Sequence, residues 1–482
     1  MKDAPDVNDT LCAEGSAAVR GRLDRAQGYN GGKVEEKLAQ PEEPRPPDFT
    51  DEALALRFAE THANDLRYVA GWGRWLFFDG ARWRFDETLL AFDRARHICR
   101  QAATECNSKI ARVLASAKTV AAVERLARAD RRIAATVDQW DADPWALNTP
   151  LGVLDLRTGK LRPHRAEDYL TKMTGVAPDA SRQMPTWNKF LERVMGADAE
   201  LVAFLQRLAG YALTGLTREH ALFFLYGTGA NGKTTFLNAI IDCAGDYHRT
   251  APIETFTAAT GERHPTDLAG LRGARLVTAV ETEEGRRWAE SKIKALTGGD
   301  RIAARFMRQD FFEFTPQFKL LIAGNHKPGL RSVDEAIRRR LNLVPFTVTI
   351  PPAERDDSLP EKLKAELPGI LAWMVQGCLD WQKQGLAPPA AVTSATEAYL
   401  EAEDAVAAWM DECCQRDPTA WERTAALFAS WSTWADKTGE YVGSQKRFSE
   451  RLESRGVTPL RRHDGRGFIG IRLLSYSWDG SP

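Results

Sequence analysis

Residues 221–236 combine an apolar strand, a glycine-containing loop and a helix in the order that binds phosphate groups. The run ALFFLY leads into GTGANGKTTFLNAII, where Gly227 is followed after four residues by Gly232, Lys233 and Thr234. Such a loop turns backbone N–H groups toward phosphates at a helix N-terminus, whose dipole favours negative charge. Lys233 would reach the β- and γ-phosphates, and Thr234 would ligate Mg²⁺. We therefore expect ATP and Mg²⁺ here, bound by Gly227, Thr228, Gly229, Ala230, Asn231, Gly232, Lys233, Thr234 and Thr235.

Polar side chains also end the next two apolar runs. ARLVTAVETEEG reaches Glu281, with Glu283 close behind, and FKLLIAGN reaches Asn325. A carboxylate at a strand end can hold Mg²⁺, and a second can polarise the attacking water, so we assign Glu281 to the metal and Glu283 as its candidate partner. The Asn325 amide could bond both the γ-phosphate and that water. The alternatives are a solvated acidic loop and an asparagine chosen for a turn before Pro328.

Three consecutive arginines follow in DEAIRRRLNLVPF: Arg338, Arg339 and Arg340. On a helix they point about 100° apart, so they cannot all serve one contact. We expect one of them to reach the γ-phosphate of a neighbouring subunit, as an arginine finger does. Arg339 and Arg340 are the favoured candidates, and the sequence does not decide between them.

Residues 286–308, which we call the basic segment, carry seven basic and two acidic residues, a local net charge of +5 in a chain of net charge -1. A loop or hairpin that grips nucleic-acid phosphates is the functional interpretation. A solvated basic helix face is the alternative.

The wider chain of 482 residues, 43% hydrophobic and 27% charged, is typical of a soluble multidomain protein. Strands alternate with helices between residues 221 and 351, which predicts an α/β domain with a parallel sheet. Hairpins are predicted at Asp79-Gly80 and Thr158-Gly159. The six aromatics from Trp72 to Phe85 could stack bases, but packing of a small sheet is the favoured interpretation.

The predicted domains are a disordered tail (1–48), a mainly helical domain with β-hairpins (49–186), the P-loop domain (187–350), a helical extension (351–415) and a C-terminal domain (416–482).

Several classes of protein are disfavoured. The sequence contains no membrane-length apolar stretch and no secretory signal, so we expect a cytoplasmic location without membrane partners. The seven cysteines lack metal-ligand spacing and are expected to be reduced.

Five motifs in order, GTGANGKTT, RLVTAVETEEG, KALTGGDRIAAR, FKLLIAGNHKP and AIRRRLNLVPF, resemble the superfamily 3 helicase domain of phage and plasmid primases and of poxvirus-type primase–helicases. Upstream segments extend the resemblance over roughly residues 70–350. It implies an AAA+-like motor that assembles as a homo-hexameric ring. It also implies single-stranded DNA in the ring channel, contacted by Lys294 and Arg305 with Lys292.

The C-terminal segment resembles the winged-helix module that ends many members of this family, and Arg461, Arg462 and Arg466 lie on its expected wing, where duplex DNA could bind. Longer relatives carry a primase-polymerase, so a separate primase or polymerase is an expected partner. The resemblance implies an ATP-dependent DNA helicase in replication of a phage, plasmid or related element. The alternatives are primer synthesis by this chain through Asp141 and Asp143, an AAA+ ATPase that assembles or regulates other proteins, and a DNA-binding initiator with an accessory ATPase.

Overall fold

The computed structural model describes residues 45–258, 266–281, 286–306, 310–330, 333–463 and 465–474, without the side chains of Glu281 and Ser454. Nearly all of the predicted tail 1–48, and Glu283, lie outside these residues. The chain divides into two compact units, Met1–Glu60 with Phe92–Ala127, and Thr61–Ala91 with Arg128–Pro482.

The described part of the first unit is helical. Its elements are α1 Asp51–His62, α2 Leu90–Thr104, α3 Ser108–Leu114 and α4 Ala117–Ala127, with the ends of α1 and α2 extending into the second unit. Leu54 and Phe58 of α1 are buried, as are Ile98 and Cys99 of α2. Helices α2, α3 and α4 together account for most of residues 90–127.

Two small sheets open the second unit. The accessory sheet has the order β3-β2-β1-β4, and a second sheet has the order β5-β6-β7. Their strands are β1 Leu66–Val69, β2 Arg74–Phe78, β3 Trp83–Phe85, β4 Ala134–Ala135, β5 Ala146–Thr149, β6 Gly152–Asp155 and β7 Lys160–Arg162. Both predicted hairpins are present, β2 with β3 and β6 with β7. Trp75 and Trp83 are buried, which favours sheet packing as their role, but Phe85 stays exposed.

A five-stranded parallel sheet, the central sheet, has the order β14-β8-β13-β10-β9. Its strands are β8 Leu222–Tyr226, β9 His248–Thr250, β10 Leu276–Glu281, β13 Lys319–Gly324 and β14 Leu341–Pro345. The surrounding helices are α5 Pro185–Val194, α6 Ala199–Leu213, α7 Lys233–Ala244, α8 Thr266–Ala269, α9 Glu290–Gly298, α10 Glu335–Arg338, α11 Leu359–Gln384 and α12 Ala390–Ala402. The predicted parallel sheet is confirmed.

Strand periodicity explains why helices cover both faces of this sheet. Phe223 and Leu225 of β8 pack in a core with Trp187 and Trp381, whereas Leu222 and Phe224 pack in a second core with α9 and α12. Successive side chains of a strand point to opposite faces, so an uninterrupted apolar strand requires cover on both sides. An antiparallel hairpin of β11 Ile302–Ala304 and β12 Phe312–Phe314, between α9 and β13 in the chain, forms a sheet of its own, and its Ala304 and Phe314 side chains pack in the second core.

The predicted boundaries at 351 and 415 need correction. Helix α11 shares the core of the central sheet, and Thr396 of α12 accepts a hydrogen bond from the Leu343 backbone N–H, so these helices belong to the sheet domain. The boundary at 415/416 cuts a strand that the sequence did not reveal. A separate hydrophobic core begins in α13, so the C-terminal unit starts there and not at residue 416. The elements of the C-terminal unit are α13 Ala405–Cys413, β15 Cys414–Arg423, α14 Thr424–Thr438, α15 Gln445–Ser454, β16 Thr458–Arg462 and β17 Gly465–Leu473.

Two further expectations concern the whole chain. No helix of the described residues is long and apolar enough to cross a membrane. The six cysteines within the described part of the chain are free, and burial raises the pKa of the Cys378 thiol to about 12.

Candidate nucleotide site and nucleic-acid interface

Strand register brings the predicted phosphate-site segments to one edge of the central sheet. Glu281 is level with Gly324 on the neighbouring strand, and Gly324 is level with Tyr226 on the next. The residues that follow Tyr226 and Gly324 are Gly227 and Asn325. The loop, the amide and the backbone of Glu281 therefore converge at the carboxyl ends of adjacent parallel strands, where α/β proteins bind ligands.

The loop from Gly227 to Gly232 requires glycine at both ends. A Cβ atom on Gly227 would lie 2.0 Å from the Phe346 backbone oxygen. Gly232 has a φ of +84°, and a Cβ atom there would lie 2.6 Å from a Val194 methyl carbon. Gly232 is the N-cap of α7, and its left-handed backbone conformation lets the helix begin directly at the end of the loop.

Lys233 is the centre of a hydrogen-bonded group at this edge. Its side-chain ammonium, Nζ, donates to the Gly227 backbone oxygen at 2.7 Å, to Asn231 Oδ1 at 3.0 Å and to Asn325 Oδ1 at 3.1 Å. The residue is only 7% exposed, and burial lowers the pKa of its side chain. Lys233 and Asn325, which are 92 residues apart in the chain, are therefore joined by a hydrogen bond.

Two features of this group fit a phosphate ligand. All three acceptors of the Lys233 ammonium are neutral oxygens, so the charge of the buried cation is not balanced by these contacts. The Asn231 Nδ2 amide is buried and, within the described residues, has no hydrogen-bond acceptor. Both features suit an anion with several acceptor oxygens, so the residues present fit a nucleotide phosphate.

The Mg²⁺ assignments stay predictions. Thr234 is exposed in the first turn of α7, at the same edge as the Glu281 backbone. The Glu281 side chain and all of Glu283 lie outside the described residues. The Thr234 hydroxyl is an oxygen ligand of the type that Mg²⁺ prefers.

Two contributions of this site were missed by sequence reasoning. Asn231 was predicted only as a loop residue, yet its side chain bonds Lys233. Lys327 follows Asn325 by two residues, its ammonium lies 4.2 Å from the centroid of the Tyr226 ring, and burial lowers its pKa. The only available signal for Lys327 was its position just beyond a strand end.

The three consecutive arginines have different surroundings. Arg340 is buried, its Nε donates to Thr297 Oγ1 at 3.1 Å, and its Nη1 donates to the Ala336 backbone oxygen at 2.8 Å. These bonds join α9 to α10 within one chain, so Arg340 is unsuited to reach another subunit, contrary to its candidate role. Arg338 and Arg339 are exposed. Arg338 also lines a cleft toward the C-terminal unit, which leaves Arg339 as the better finger candidate.

The basic segment forms α9 and then the β11–β12 hairpin. Lys292 and Lys294 lie on α9, and Lys294 Nζ is 2.5 Å from Asp334 Oδ2. Burial would raise the pKa of Asp334, but its hydrogen bonds, chiefly that from Lys294, lower it. Arg305 follows β11 and lies over the Phe311 ring at 4.7 Å from the centroid. The basic segment therefore contains both a helix and a hairpin strand, and the predicted DNA residues occupy two separate places.

The cleft between α9–α10 and the C-terminal unit has a volume of about 830 Å³. Lys292, Lys294 and Arg338 line one wall, and Arg447 and Arg451 of α15 line the other. Acidic side chains share both walls, so the cleft is mixed in charge. Its lining includes Glu290, Asp334, Glu335, Asp404 and Glu450.

The two carboxylates of the primase alternative have structural roles. Asp141 accepts hydrogen bonds from the Thr171 backbone at 2.8 Å and from Lys172 Nζ at 2.9 Å. Burial would raise the pKa of Asp141, but Lys172 outweighs it and the pKa is lowered. Asp143 accepts from the Trp145 backbone N–H at 2.9 Å and contacts Arg157. These bonds fix loops of the accessory region, which gives the primase alternative no support.

The C-terminal unit has the order helix, strand, helix, helix, strand, strand, with the sheet order β15-β17-β16. The β16–β17 hairpin presents the predicted arginines, and Arg461 is level with Arg466 across the pair. Both are exposed, as is Arg462. Like charges directly opposite on a hairpin repel, so a negatively charged partner would relieve them.

Comparisons with known proteins cover both halves of the chain. Residues 55–196 match the family described as D5 N terminal like, and residues 225–340 match DUF5906, a family of unknown function. Two viral proteins with helicase names are each 26% identical. They are L207/L206 of Acanthamoeba polyphaga mimivirus, over 282 residues (54% of this chain, 29% of the relative), and 022R of Frog virus 3 (isolate Goorha), over 253 residues (48% and 26%).

Among solved structures, two apo structures of the NrS-1 C-terminal region share the fold at 10% sequence identity. The A form has a TM-score of 0.51 and covers 87% of this chain and 99% of that one, and the other has a TM-score of 0.50 with 88% and 100% covered. These matches agree with the family resemblance that the motifs predicted, because residues 55–196 are similar to the D5 N terminal like family and the viral relatives carry helicase names. The matched segments span less than a third of the length of the viral relatives.

Proposed function

We propose that this chain is an ATP-driven DNA helicase motor of superfamily 3, with an AAA+-like P-loop domain. The observation that carries the proposal is the bonded group of Lys233, Asn231 and Asn325 at one edge of a parallel sheet. The central sheet order also supports it. Counted from the P-loop strand as first, the order is fifth, first, fourth, third, second, which is typical of AAA+ motors rather than of a dinucleotide-binding sheet.

The proposed roles follow from the contacts. Lys233 would exchange its neutral acceptors for the β- and γ-phosphate oxygens, and Asn231 Nδ2 would gain the acceptor it lacks. That exchange would free Asn325 to orient the attacking water. Glu281 and Thr234 would hold Mg²⁺, which supplies positive charge against the developing negative charge of the phosphates. Glu283 would polarise the water.

Arg339 would complete the site from a neighbouring subunit. A finger supplied in trans requires an oligomer, and a homo-hexameric ring is the arrangement implied by the family resemblance. Single-stranded DNA would pass through the ring channel and contact Lys292, Lys294 and Arg305. The Lys294–Asp334 pair joins the basic segment to the N-cap of α10, and Arg339 is the C-cap of the same helix, so a DNA contact at Lys294 would lie next to the helix that positions the finger.

The C-terminal unit is proposed to contact duplex DNA as a winged helix. Its element order and the exposed Arg461, Arg462 and Arg466 support this role. Replication of a phage, plasmid or related mobile element, with a separate primase or polymerase as partner, is the proposed context.

Hydrolysis and unwinding together test the proposal. ATP hydrolysis, with and without single-stranded DNA, and strand displacement are measured for wild type, Lys233→Ala and the control Lys189→Ala, which removes an exposed lysine of α5. Wild type and control should hydrolyse ATP, respond to DNA and displace strands, while Lys233→Ala should lose at least about 10²-fold of hydrolysis. DNA-stimulated hydrolysis without displacement would favour an assembly ATPase or an initiator instead.

A further inference from the structure

An arginine outside the nucleotide site has unusual surroundings. Arg272 lies just before β10, so it is at the amino edge of the central sheet, opposite Lys233. Its guanidinium carbon is 5.9 Å from the ring centroid of Trp72 and 5.2 Å from that of Phe312. Trp72 belongs to the accessory region, and Phe312 belongs to the β11–β12 hairpin. One cation therefore joins aromatic rings from two separate parts of the fold.

The guanidinium of Arg272 makes no hydrogen bond or ion pair to any residue that the structure describes. It is half-buried, and burial lowers its pKa, although an arginine remains charged at neutral pH. Stacking on rings uses the faces of a guanidinium and leaves its in-plane N–H donors available. A partly desolvated cation with unused donors suits an anionic ligand that can accept several hydrogen bonds.

The rings around Arg272 continue in both directions. Phe312 stacks on Phe306 with centroids 5.7 Å apart and an interplanar angle of 27°. Trp72 contacts Phe85 edge-on with centroids 5.5 Å apart. Both terminal rings are exposed, Phe85 at 38% and Phe306 at 41%. We call Phe85, Trp72, Arg272, Phe312 and Phe306 the stacking row.

Further cations accompany the ends of the row. The Arg74 guanidinium lies 5.4 Å from the Phe85 centroid, and Arg305 lies over Phe311, which is 60% exposed. Exposed rings interleaved with arginines are the combination that binds single-stranded nucleic acid, since bases stack on the rings and phosphates pair with the cations.

We propose that the stacking row binds single-stranded DNA, with Arg272 as a phosphate contact and Phe85 and Phe306 as base-stacking positions. The row would extend the path of the strand from the hairpin onto the accessory region. The proposal rests on the DNA-binding function above but adds Phe85, Trp72, Arg272 and Phe312, which lie outside the basic segment.

The first test isolates the charge of Arg272. The affinity for an oligo-dT strand is titrated against salt for wild type, Arg272→Gln and the matched control Arg84→Gln. Arg84 is an exposed arginine of β3, adjacent to Phe85 in sequence and therefore on the opposite face of the strand. Arg272→Gln should weaken binding roughly tenfold or more, and should flatten the log–log salt slope by about 0.7, while Arg84→Gln behaves as wild type.

The second test isolates stacking. Wild type should bind a base-containing strand more tightly than an abasic strand of equal length, and Phe85→Leu with Phe306→Leu should reduce that preference roughly fivefold or more. Basal ATP hydrolysis and the thermal unfolding midpoint, measured in parallel, report on folding.

Three outcomes separate the inference from the proposed function. If wild type binds the strand but Arg272→Gln keeps the salt slope and affinity of Arg84→Gln, the row is only a packing contact and the inference is overturned. An unchanged preference for bases in the phenylalanine variant would likewise overturn the stacking roles. If wild type binds no single-stranded DNA at all, the result contradicts the proposed helicase function itself and not only the role of the stacking row.

Discussion

At the nucleotide site, Lys233, Asn231 and Asn325 bond to one another, whereas in the basic segment Lys294 and Arg305 contact separate partners, Asp334 and Phe311. The first group is arranged before any ligand arrives, because adjacent strands fix its members at one sheet edge. The second is divided between a helix and an exposed hairpin, so a bound strand or neighbouring subunits would have to complete it. Variants of the Lys233 group should therefore abolish ATP hydrolysis. Variants of Lys294 and Arg305 should instead produce graded losses.

Arg339→Ala should give the largest effect that crosses a subunit boundary. Loss of a finger supplied in trans should lower ATP hydrolysis by roughly 10³–10⁵-fold, and mixing Arg339→Ala with Lys233→Ala should restore part of the activity. Restoration is expected because a mixed interface can combine an intact P-loop with an intact finger. Hydrolysis by the mixed and single variants is the measurement.

Arg338→Ala serves as the matched control, since Arg338 is exposed on the same helix but lines the cleft toward the C-terminal unit. If Arg338→Ala shows the loss and the rescue while Arg339→Ala does not, the finger is Arg338. Failure of every mixture, with assembly intact, would contradict a site shared between subunits.

Asn325→Ala should lower hydrolysis by roughly 10²–10³-fold and leave ATP affinity within about threefold of wild type. The amide is proposed to orient water in the transition state, whereas Lys233 holds the phosphates in both states. Single-turnover hydrolysis and equilibrium binding of a fluorescent ATP analogue separate the two quantities. Asn188→Ala, an exposed asparagine of α5, is the control. Loss of affinity equal to the loss of rate would show that Asn325 only shapes the pocket.

Lys294→Ala with Arg305→Ala should leave DNA-free hydrolysis nearly unchanged and remove its stimulation by single-stranded DNA. Two lost phosphate contacts should flatten the log–log salt slope of strand binding by roughly 1.4. Because Lys294 also pairs with Asp334, Asp334→Asn separates the two causes. If Asp334→Asn alone reproduces the loss of stimulation, the pair positions α10 and Lys294 is not a DNA contact.

Most members of the candidate nucleotide site were predictable from the sequence, although Lys327 was missed. Glycine spacing and the residues at strand ends identify local chain geometry, and parallel strands bring such ends to one edge. The hydrogen bond from Lys233 to Asn231 was not predictable, since it depends on loop conformation. Burial of Arg340 was not predictable either, because three consecutive arginines look alike until the neighbouring helix is placed.

The fold, like the site, was predictable where the sequence signal is local and not where it depends on contacts between distant segments. Alternation of strands and helices predicted the central sheet, and dipeptide turns predicted both hairpins. Strand β15 was missed because CQRDPTAWER contains a proline and several charges, a poor strand pattern that pairing with β17 stabilises. Contacts between distant segments, such as Arg272 with Trp72 and Phe312, carry no local signal in the sequence.

The smallest expected effect on activity, and the clearest on stability, belongs to Arg340. Arg340→Met keeps most of the apolar stem but removes the bonds to Thr297 and Ala336, leaving the buried Thr297 hydroxyl and the part-buried Ala336 carbonyl without these donors. The free energy of unfolding should fall by about 1–3 kcal/mol, a range set by the desolvation of unpaired polar groups. Urea denaturation measures that change, and Arg338→Met, at an exposed position, should stay within about 0.5 kcal/mol of wild type.

Below the unfolding transition, Arg340→Met should retain most DNA-free hydrolysis, and mixing it with Lys233→Ala should add little. A full-length folded Arg340→Met with wild-type stability but no hydrolysis, rescued by that mixture, would return the finger role to Arg340 and contradict the distinction drawn between the three arginines.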